Sequence, residues 1–462
     1  MKTKLFKSFL LAVAVLFAAI PLQAQQMVSN NNDDEVNKVD PSAARAYRPG
    51  EVIVKFKDAT PIKMRNKDGK FQSSGLSKVD KVLNELGVDE ADQLMPLTGS
   101  KVNRSVMRAY NGSEVKDRDL SGLYRLRLDA KAAVSVEQAI EKLKELEEVD
   151  YAEPNYLVFT MSTDADTYTA EPLYTEQWGP AAINLDQLWA MPKLEGAERP
   201  VIAILDTGID ITHPDLEANI WTNPAESTGA EGEDDDNNGY ADDLHGWDFI
   251  NQTPKIADYN GHGTHCAGIA AAVGDNGIGI TGANPDAYIM PITVMQSDGT
   301  GDVATIIQGI DYATDNGADF LSMSFGGYAY SIAEEQALAK AYSKATLVAA
   351  AGNDGRCIYF GHHQPGPGPC YPAAFTFVLG VEASTESGRA GFSNWDCDGP
   401  IYSQYGEEQL YNYELRAPGV NIYSTYPKGR YKSMNGTSMA CPLVAGAISR
   451  LMQCKRVSSN QP

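Results

Sequence analysis

The sequence predicts an α/β fold: a parallel sheet with helices on both faces, preceded by a small α+β domain. Three observations lead there. Apolar runs at Val201–Leu205, Ala287–Met295, Phe320–Phe325, Ala345–Ala351 and Phe375–Val381 do not alternate, which suits strands covered on both sides. Helical spacing separates some of them: Asp302–Asn316 carries Val303, Ile306, Ile307 and Ile310 on one face, and Ser331–Lys344 opens with Ser331 and Glu334 spaced as a capping box. Strand, helix and strand in succession imply parallel neighbours joined by crossovers. Upstream, shorter segments alternate as half-buried strands do.

In chain order, Lys2, Lys4 and Lys7 precede the apolar run Phe9–Ile20, and Leu22-Gln23-Ala24 follows. Residues 1–24 therefore read as a secretory signal peptide, with an uncleaved anchor helix as the alternative. No later run is long enough to span a bilayer, so no stable membrane anchor is expected after signal removal. Residues 25–46 are polar and read as flexible. From 47 to 159 the elements run β, α, β, α, β. Glu51–Phe56 and Leu123–Leu128 alternate as strands; Leu76, Val79, Val82, Leu83 and Leu86 have helical spacing. Ser135–Val149 is a helix with Ser135 and Gln138 as a capping box, and Val149–Phe159 closes as a strand. With one more strand near 100–110 this is a ferredoxin-like split βαβ layout. Residues 160–176 read as an acidic linker, and 177–462 as the α/β domain.

The chain of 462 residues has 43% hydrophobic and 21% charged residues, enough for a large core. With 38 Lys+Arg against 61 Asp+Glu, its formal charge is −23, which disfavours nucleic acid and anionic lipid as partners. Six histidines limit the candidates for a general base. Export permits disulfides, and six cysteines allow about 15 pairings among which sequence does not choose; Cys357 and Cys370 bracket a Gly/Pro-rich loop and are one candidate bridge. No Cys-x-x-Cys pair suggests zinc.

Three segments carry chemistry. Ile204–Gly208 places Asp206 where a buried strand ends, the edge at which open α/β sheets gather functional groups, though a turn or cap aspartate reads the same way. Asn260–Ala270 holds His262 and His265 on one helical face; this is not the HExxH of zinc proteases, and each histidine also reads as a core residue. In Asn435–Gly446, Pro442 fits near a helix start, which puts Ser438 at a helix N-terminus, where a serine is commonly a cap. Together they offer a hydroxyl, a base to take its proton and an acid to hold the base, in the order Asp206, His262, Ser438.

DTGID at 206–210, NGHGTHCAG at 260–268 and NGTSMACP at 435–442 make residues from about 175 to 452 resemble subtilisin-like serine proteases, the subtilase family. The resemblance implies a subtilisin-like parallel sheet, with Ser438 as nucleophile, His262 as general base, Asp206 as its partner and His265 as structural. It implies that Asn353, in Ala350–Asp354, serves the oxyanion and that Ser324-Phe325-Gly326 pairs with extended protein or peptide substrates. Cys266 is expected as a free thiol. Pro49–Val54 and Tyr151–Tyr156 resemble fervidolysin-like propeptides, implying that 47–159 is a prodomain acting as intramolecular inhibitor and cut away within 160–176. A permanent accessory domain is the alternative. The function implied is a secreted, periplasmic or extracellular, zymogen endopeptidase; an inactive or self-processing-only scaffold is the competing reading.

Asp234–Asp243 fits the start of a calcium loop, with Asp234, Asp236, Asn238, the Tyr240 carbonyl and Asp242 spaced as ligands. His245 at the twelfth position excludes an EF-hand, and a solvated acidic loop is the alternative. Many subtilases bind calcium in a similar loop, so the resemblance favours structural calcium. Subtilases usually continue past the serine helix, whereas Cys454–Asn460 reads here as a polar tail, so thin support for the end of the sheet is expected.

Overall fold

A computed structural model describes residues 46–161, 163–164, 177–358, 368–396 and 413–454, apart from positions 59, 61, 63, 68, 69, 104 and 130–133. The expected signal peptide, the polar segment up to residue 45, most of the expected linker and the tail after Cys454 lie outside the described residues.

The first domain runs β1 (Tyr47–Phe56), α1 (Ser77–Glu85), β2 (Val88–Gln93), β3 (Leu123–Leu128), α2 (Val136–Lys144) and β4 (Val149–Thr160). Its sheet has the order β2-β3-β1-β4, antiparallel throughout, which is the expected ferredoxin-like layout. Alternation in β1 turns Val52, Val54 and Phe56 onto Leu83, Ala139 and Leu143 from the helices. Ser135 caps α2 through the reciprocal box with Gln138, but the helix ends at Lys144, five residues early. The extra strand is β2, not the 100–110 region, where Met107–Arg108 pairs only with Glu114–Val115. Alternation misses β2 because this edge strand is acidic: Asp92 pairs with Arg125 at 2.8 Å, and Glu90 with Arg127.

In the second domain the strands are β6 (Val201–Asp206), β7 (Trp247–Asp248), β8 (Tyr288–Thr293), β10 (Phe320–Met323), β12 (Thr346–Ala350), β13 (Leu379–Thr385) and β14 (Leu415–Pro418). They form a parallel sheet in the order β7-β8-β6-β10-β12-β13-β14. The run Phe375–Val381 becomes strand only from Leu379, its first residues forming a turn. The central strands are buried on both sides. In β6, Ala203 and Leu205 pack with helices α4 (Val303–Asp315) and α5 (Ile332–Ala341). Ile202 and Ile204 pack with α3 (His262–Ala271) and α6 (Thr437–Cys454). Pro442 lies in the second turn of α6, later than expected. Its missing N–H leaves the Ser438 carbonyl without its helical donor, and Ser324 Oγ (2.9 Å) and Cys266 Sγ (3.5 Å) donate there instead.

The first domain sits on α4 and α5. Asp302, the N-cap of α4, accepts from Arg48 and from buried Asn155, and Lys340 of α5 pairs with Asp117 in a buried bridge at 2.8 Å. Ser331 caps α5, but Glu334 does not complete the box. The place is taken by Glu153 of the first domain, which accepts from Ser331 Oγ and the Ile332 and Ala333 amides at 2.7–3.0 Å. Glu334 Oε1 is buried with no partner among the described residues. The expected Cys357–Cys370 bridge is absent: Cys357 is disulfide-bonded, whereas Cys370 is a free buried thiol packed under glycines 326 and 352.

Burial, and the nearby Glu153 carboxylate, push Glu334 up to about 8. Burial raises Glu153 and Glu335 as well. Between the ordinary carboxylate value and about 8 the folded chain holds a proton on Glu334 that the unfolded chain releases, so stability falls as pH rises through that window. The melting temperature of full-length Ser438→Ala protein is expected to drop from pH 5 to pH 8.5, and Glu334→Gln to flatten the slope; identical slopes in both proteins refute this assignment.

Candidate active site

Strand β6 ends at Asp206, and the chain must then turn sharply under the loop that leads to α3. Gly208 (φ +106°) permits the turn: a Cβ there would lie 2.1 Å from the Ala257 carbonyl. Gly263 in the first turn of α3 is equally constrained, since its Cβ would meet the Gly208 carbonyl at 2.1 Å. This close approach lets His262 Nδ1 bond Asp206 Oδ1 at 2.7 Å, with both side chains buried. The same Asp206 oxygen accepts from the Thr207 amide. Asp258, half-buried beside them, accepts from Thr207 Oγ1, the Gly261 amide and the Thr264 amide and hydroxyl, and so locks the start of α3.

His265 turns the other way, its Nε2 facing the Lys432 carbonyl at 2.9 Å, so the two histidines do not share a ligand site. Burial lowers it to about 3, which keeps it neutral. Cys266 is a free thiol raised by burial; its Sγ lies 3.9 Å from His262 Nδ1 and 3.5 Å from the Ser438 carbonyl, filling the space between base and serine helix.

Ser438 occupies the first turn of α6. Its Oγ donates to the Ser324 carbonyl at 2.7 Å, and His262 Nε2 has no partner among the described residues. Asn353 follows β12 through Gly352 (φ +100°). Its Oδ1 accepts from the Thr437 amide (3.0 Å) and hydroxyl (2.9 Å), which leaves its buried Nδ2 without a partner among the described residues. Ser324-Phe325-Gly326 is already paired. Strand β11 (Phe325–Gly326) runs antiparallel to the end of β4, with Phe325 opposite Thr160 and Gly326 opposite Phe159. On the other side β9 (Thr300–Asp302) pairs with Leu157, Val158 and Phe159. Sequence reasoning missed this second edge; its signal was Ser297-Asp298-Gly299-Thr300-Gly301, a turn leading into α4.

The acidic loop converges differently from its spacing. Glu226, Asp236 and Asp243 bring carboxylate oxygens within 4.8 Å of one another, and of the three expected carboxylate ligands Asp236 alone joins such a group among the described residues; the Asn238 amide donates to both Asp236 and Asp243. Asp234 accepts from the Asn238 and Gly239 amides, Asn238 from the Tyr240 amide, and Asp242 from the Gly232 amide. Tyr240 turns its ring onto Trp247, Phe249 and Tyr312. Burial raises Asp243. Three clustered carboxylates, one buried, form a hard oxygen donor set that fits calcium.

With this geometry in view, comparison with known proteins places the chain in a class: the subtilase-family model matches residues 197–460, and the fervidolysin N-terminal prodomain model matches 94–155. The chain belongs to the subtilase family and is a serine peptidase with an N-terminal prodomain. It is 36% identical over 296 residues to thermitase of Thermoactinomyces vulgaris, covering 63% of this chain and 88% of that one. Against the thermophilic serine proteinase of Bacillus sp. (strain AK1) it is 31% identical over 454 residues, 98% of this chain and 90% of the relative. In fold it is similar to the crystal structure of fervidolysin from Fervidobacterium pennivorans (TM-score 0.57, 24% identity), covering 90% of this chain and 56% of that one.

Asn353→Ala removes a donor that forms no bond in the resting site. It is expected to lower kcat on the order of 10² to 10³ with little change in KM, the range known for a subtilisin oxyanion donor. An unchanged kcat in steady-state assays refutes the role.

Proposed function

We propose that this protein is a secreted zymogen endopeptidase that hydrolyses peptide bonds through an acyl-enzyme on Ser438. The observation that carries the reading is the buried Asp206–His262 bond at 2.7 Å, with an unpartnered imidazole nitrogen facing away from the carboxylate. Ser438 Oγ leaves the Ser324 carbonyl and gives its proton to His262 Nε2 as it attacks the substrate carbonyl. Asp206 holds the tautomer and balances the imidazolium charge. The Ser438 amide and Asn353 Nδ2 receive the oxyanion. His262 then protonates the departing amine, and water releases the acyl group by the reverse path. An extended substrate lies between the edges at 299–302 and 324–326, where its backbone adds a strand to each.

The prodomain acts as an intramolecular inhibitor, because its last strand fills those two edges. Export rests on the signal-like residues 1–24; no helix among the described residues is long and apolar enough to cross a membrane. Calcium, when bound at Glu226, Asp236 and Asp243, would neutralise their mutual repulsion and tie the loop to the sheet.

Wild-type protein is expected to react with a fluorophosphonate probe and to degrade casein, whereas Ser438→Ala does neither, a loss of about 10⁶ in turnover. A wild type that is inert to the probe after processing overturns the reading. Chelation is expected to lower the melting temperature by about 5–10 °C, restored by added calcium; an unchanged melt with no bound metal rejects the calcium site.

A further inference from the structure

Asn353 stands on a tight turn, and its donor is only as well placed as that turn. Thr437 holds one side: its Oγ1 donates to Asn353 Oδ1 and accepts from the Gly352 amide at 3.1 Å. The other side is held by Asn394, from the connection that follows β13. The Asn394 backbone amide donates to the Gly352 carbonyl at 2.8 Å. Its side-chain Oδ1 accepts from the Asp354 and Arg356 amides, each at 3.1 Å. Its Nδ2 donates to the Ala351 carbonyl at 3.0 Å and to Tyr328 Oη at 2.9 Å.

One side chain thus bonds backbone on both sides of Asn353: Ala351 before it, Asp354 and Arg356 after it. The four bonds use both donors and both acceptor positions of the amide. They fix its orientation, since two N–H groups face the oxygen and a carbonyl faces the nitrogen. Tyr328 extends the network by donating to Asp354 Oδ2. The fit leaves no slack: Gly352 turns at φ +100°, and a Cβ there would lie 2.4 Å from Asn394 Nδ2. Alongside, the Gly355 amide reaches the Phe392 carbonyl at 2.5 Å, and the Trp395 amide the Arg356 carbonyl at 2.9 Å. Asn394 and Tyr328 are buried, so a bond lost here leaves a polar group unpaired rather than hydrated.

Resting on the oxyanion role proposed above for Asn353, we infer that Asn394, with Tyr328 behind it, is a positioning residue of the site: it fixes the turn Ala351–Arg356 and through it aims Asn353 Nδ2 at the oxyanion. Both polar atoms of the Asn394 side chain are already bonded within the protein, so it acts through Asn353 and not on the substrate. The need for a rigid turn follows from the chemistry. The charge that Asn353 stabilises exists only in the transition state, so a donor that must move to meet it loses part of its effect. A displacement of about 1 Å costs on the order of 10² in rate.

A double-mutant cycle on processed enzyme tests this, with kcat on a peptide p-nitroanilide counted per site titrated by a fluorophosphonate. Asn394→Asp keeps the shape of the side chain but sets an oxygen against the Ala351 carbonyl. It is expected to lower kcat about 10- to 100-fold, with KM within about threefold of wild type. In the Asn353→Ala background the same change is expected to lower kcat by less than about twofold more, while it lowers the melting temperature equally in both backgrounds. A residue that only stabilised the loop would not lose its effect on kcat when Asn353 is gone. Tyr328→Phe, which removes one link and keeps the ring, is expected to follow the same pattern at about 3- to 10-fold. A kcat for Asn394→Asp within about twofold of wild type, or a loss that multiplies with that of Asn353→Ala, overturns the positioning role and leaves the protease reading intact. Should Asn394→Asp fail to fold, the Tyr328→Phe cycle decides by the same two criteria. An undiminished kcat in Asn353→Ala overturns the oxyanion reading itself, and this inference with it.

Discussion

The bond from His262 Nδ1 to Asp206 Oδ1 is the constraint around which the rest is arranged. It joins the end of a central strand to the start of a helix, and it forms only because two glycines let backbone meet backbone at Gly208 and Gly263. Asp258 fixes the same helix start from the other side, and Cys266 spaces it from the serine helix. Packing therefore sets the position of the base before any substrate arrives. The free energy of folding, not of binding, supplies this preorganisation.

The serine helix solves a second constraint. A proline in its second turn removes one helical hydrogen bond, and the freed Ser438 carbonyl is bonded by Ser324 and Cys266. The strand edge, the thiol and the nucleophile are thereby tied at one backbone atom. Asn353 uses its oxygen on Thr437, which leaves its buried nitrogen unpaired among the described residues. A buried unpaired donor is unfavourable at rest; on the function proposed above, the charge that develops on the substrate is what satisfies it.

Much of this was legible in the sequence. Non-alternating apolar runs disclosed the parallel sheet because their residues face helices on both sides, as Ile202 and Ala203 do. Short motifs disclosed the Asp206–His262 pair because the close backbone approaches there allow little but glycine. What stayed hidden depended on the two domains together. Strand β2 carries its stability in cross-strand ion pairs rather than in alternation. Glu153 caps a helix of the other domain from far along the chain, replacing a local box that Ser331 and Glu334 only seemed to complete. The disulfide guess failed because chain proximity says nothing of burial: Cys370 lies beneath two glycines. The acidic loop kept its expected turn but converged on Glu226 and Asp243, which the spacing rule did not include.

The last strand of the prodomain pairs with Phe325–Gly326, and β5 (Thr163–Asp164) beyond it pairs with Asn435 and Met434. While the chain is continuous, strand and cleft are one to one, at an effective concentration no dilution can change. Once severed, the same surfaces become two molecules, and their association depends on how much of each is present. On the function proposed above, a single scission in a dilute medium turns a tethered brake into one that washes away, so the timing of activity is set by geometry and its persistence by volume.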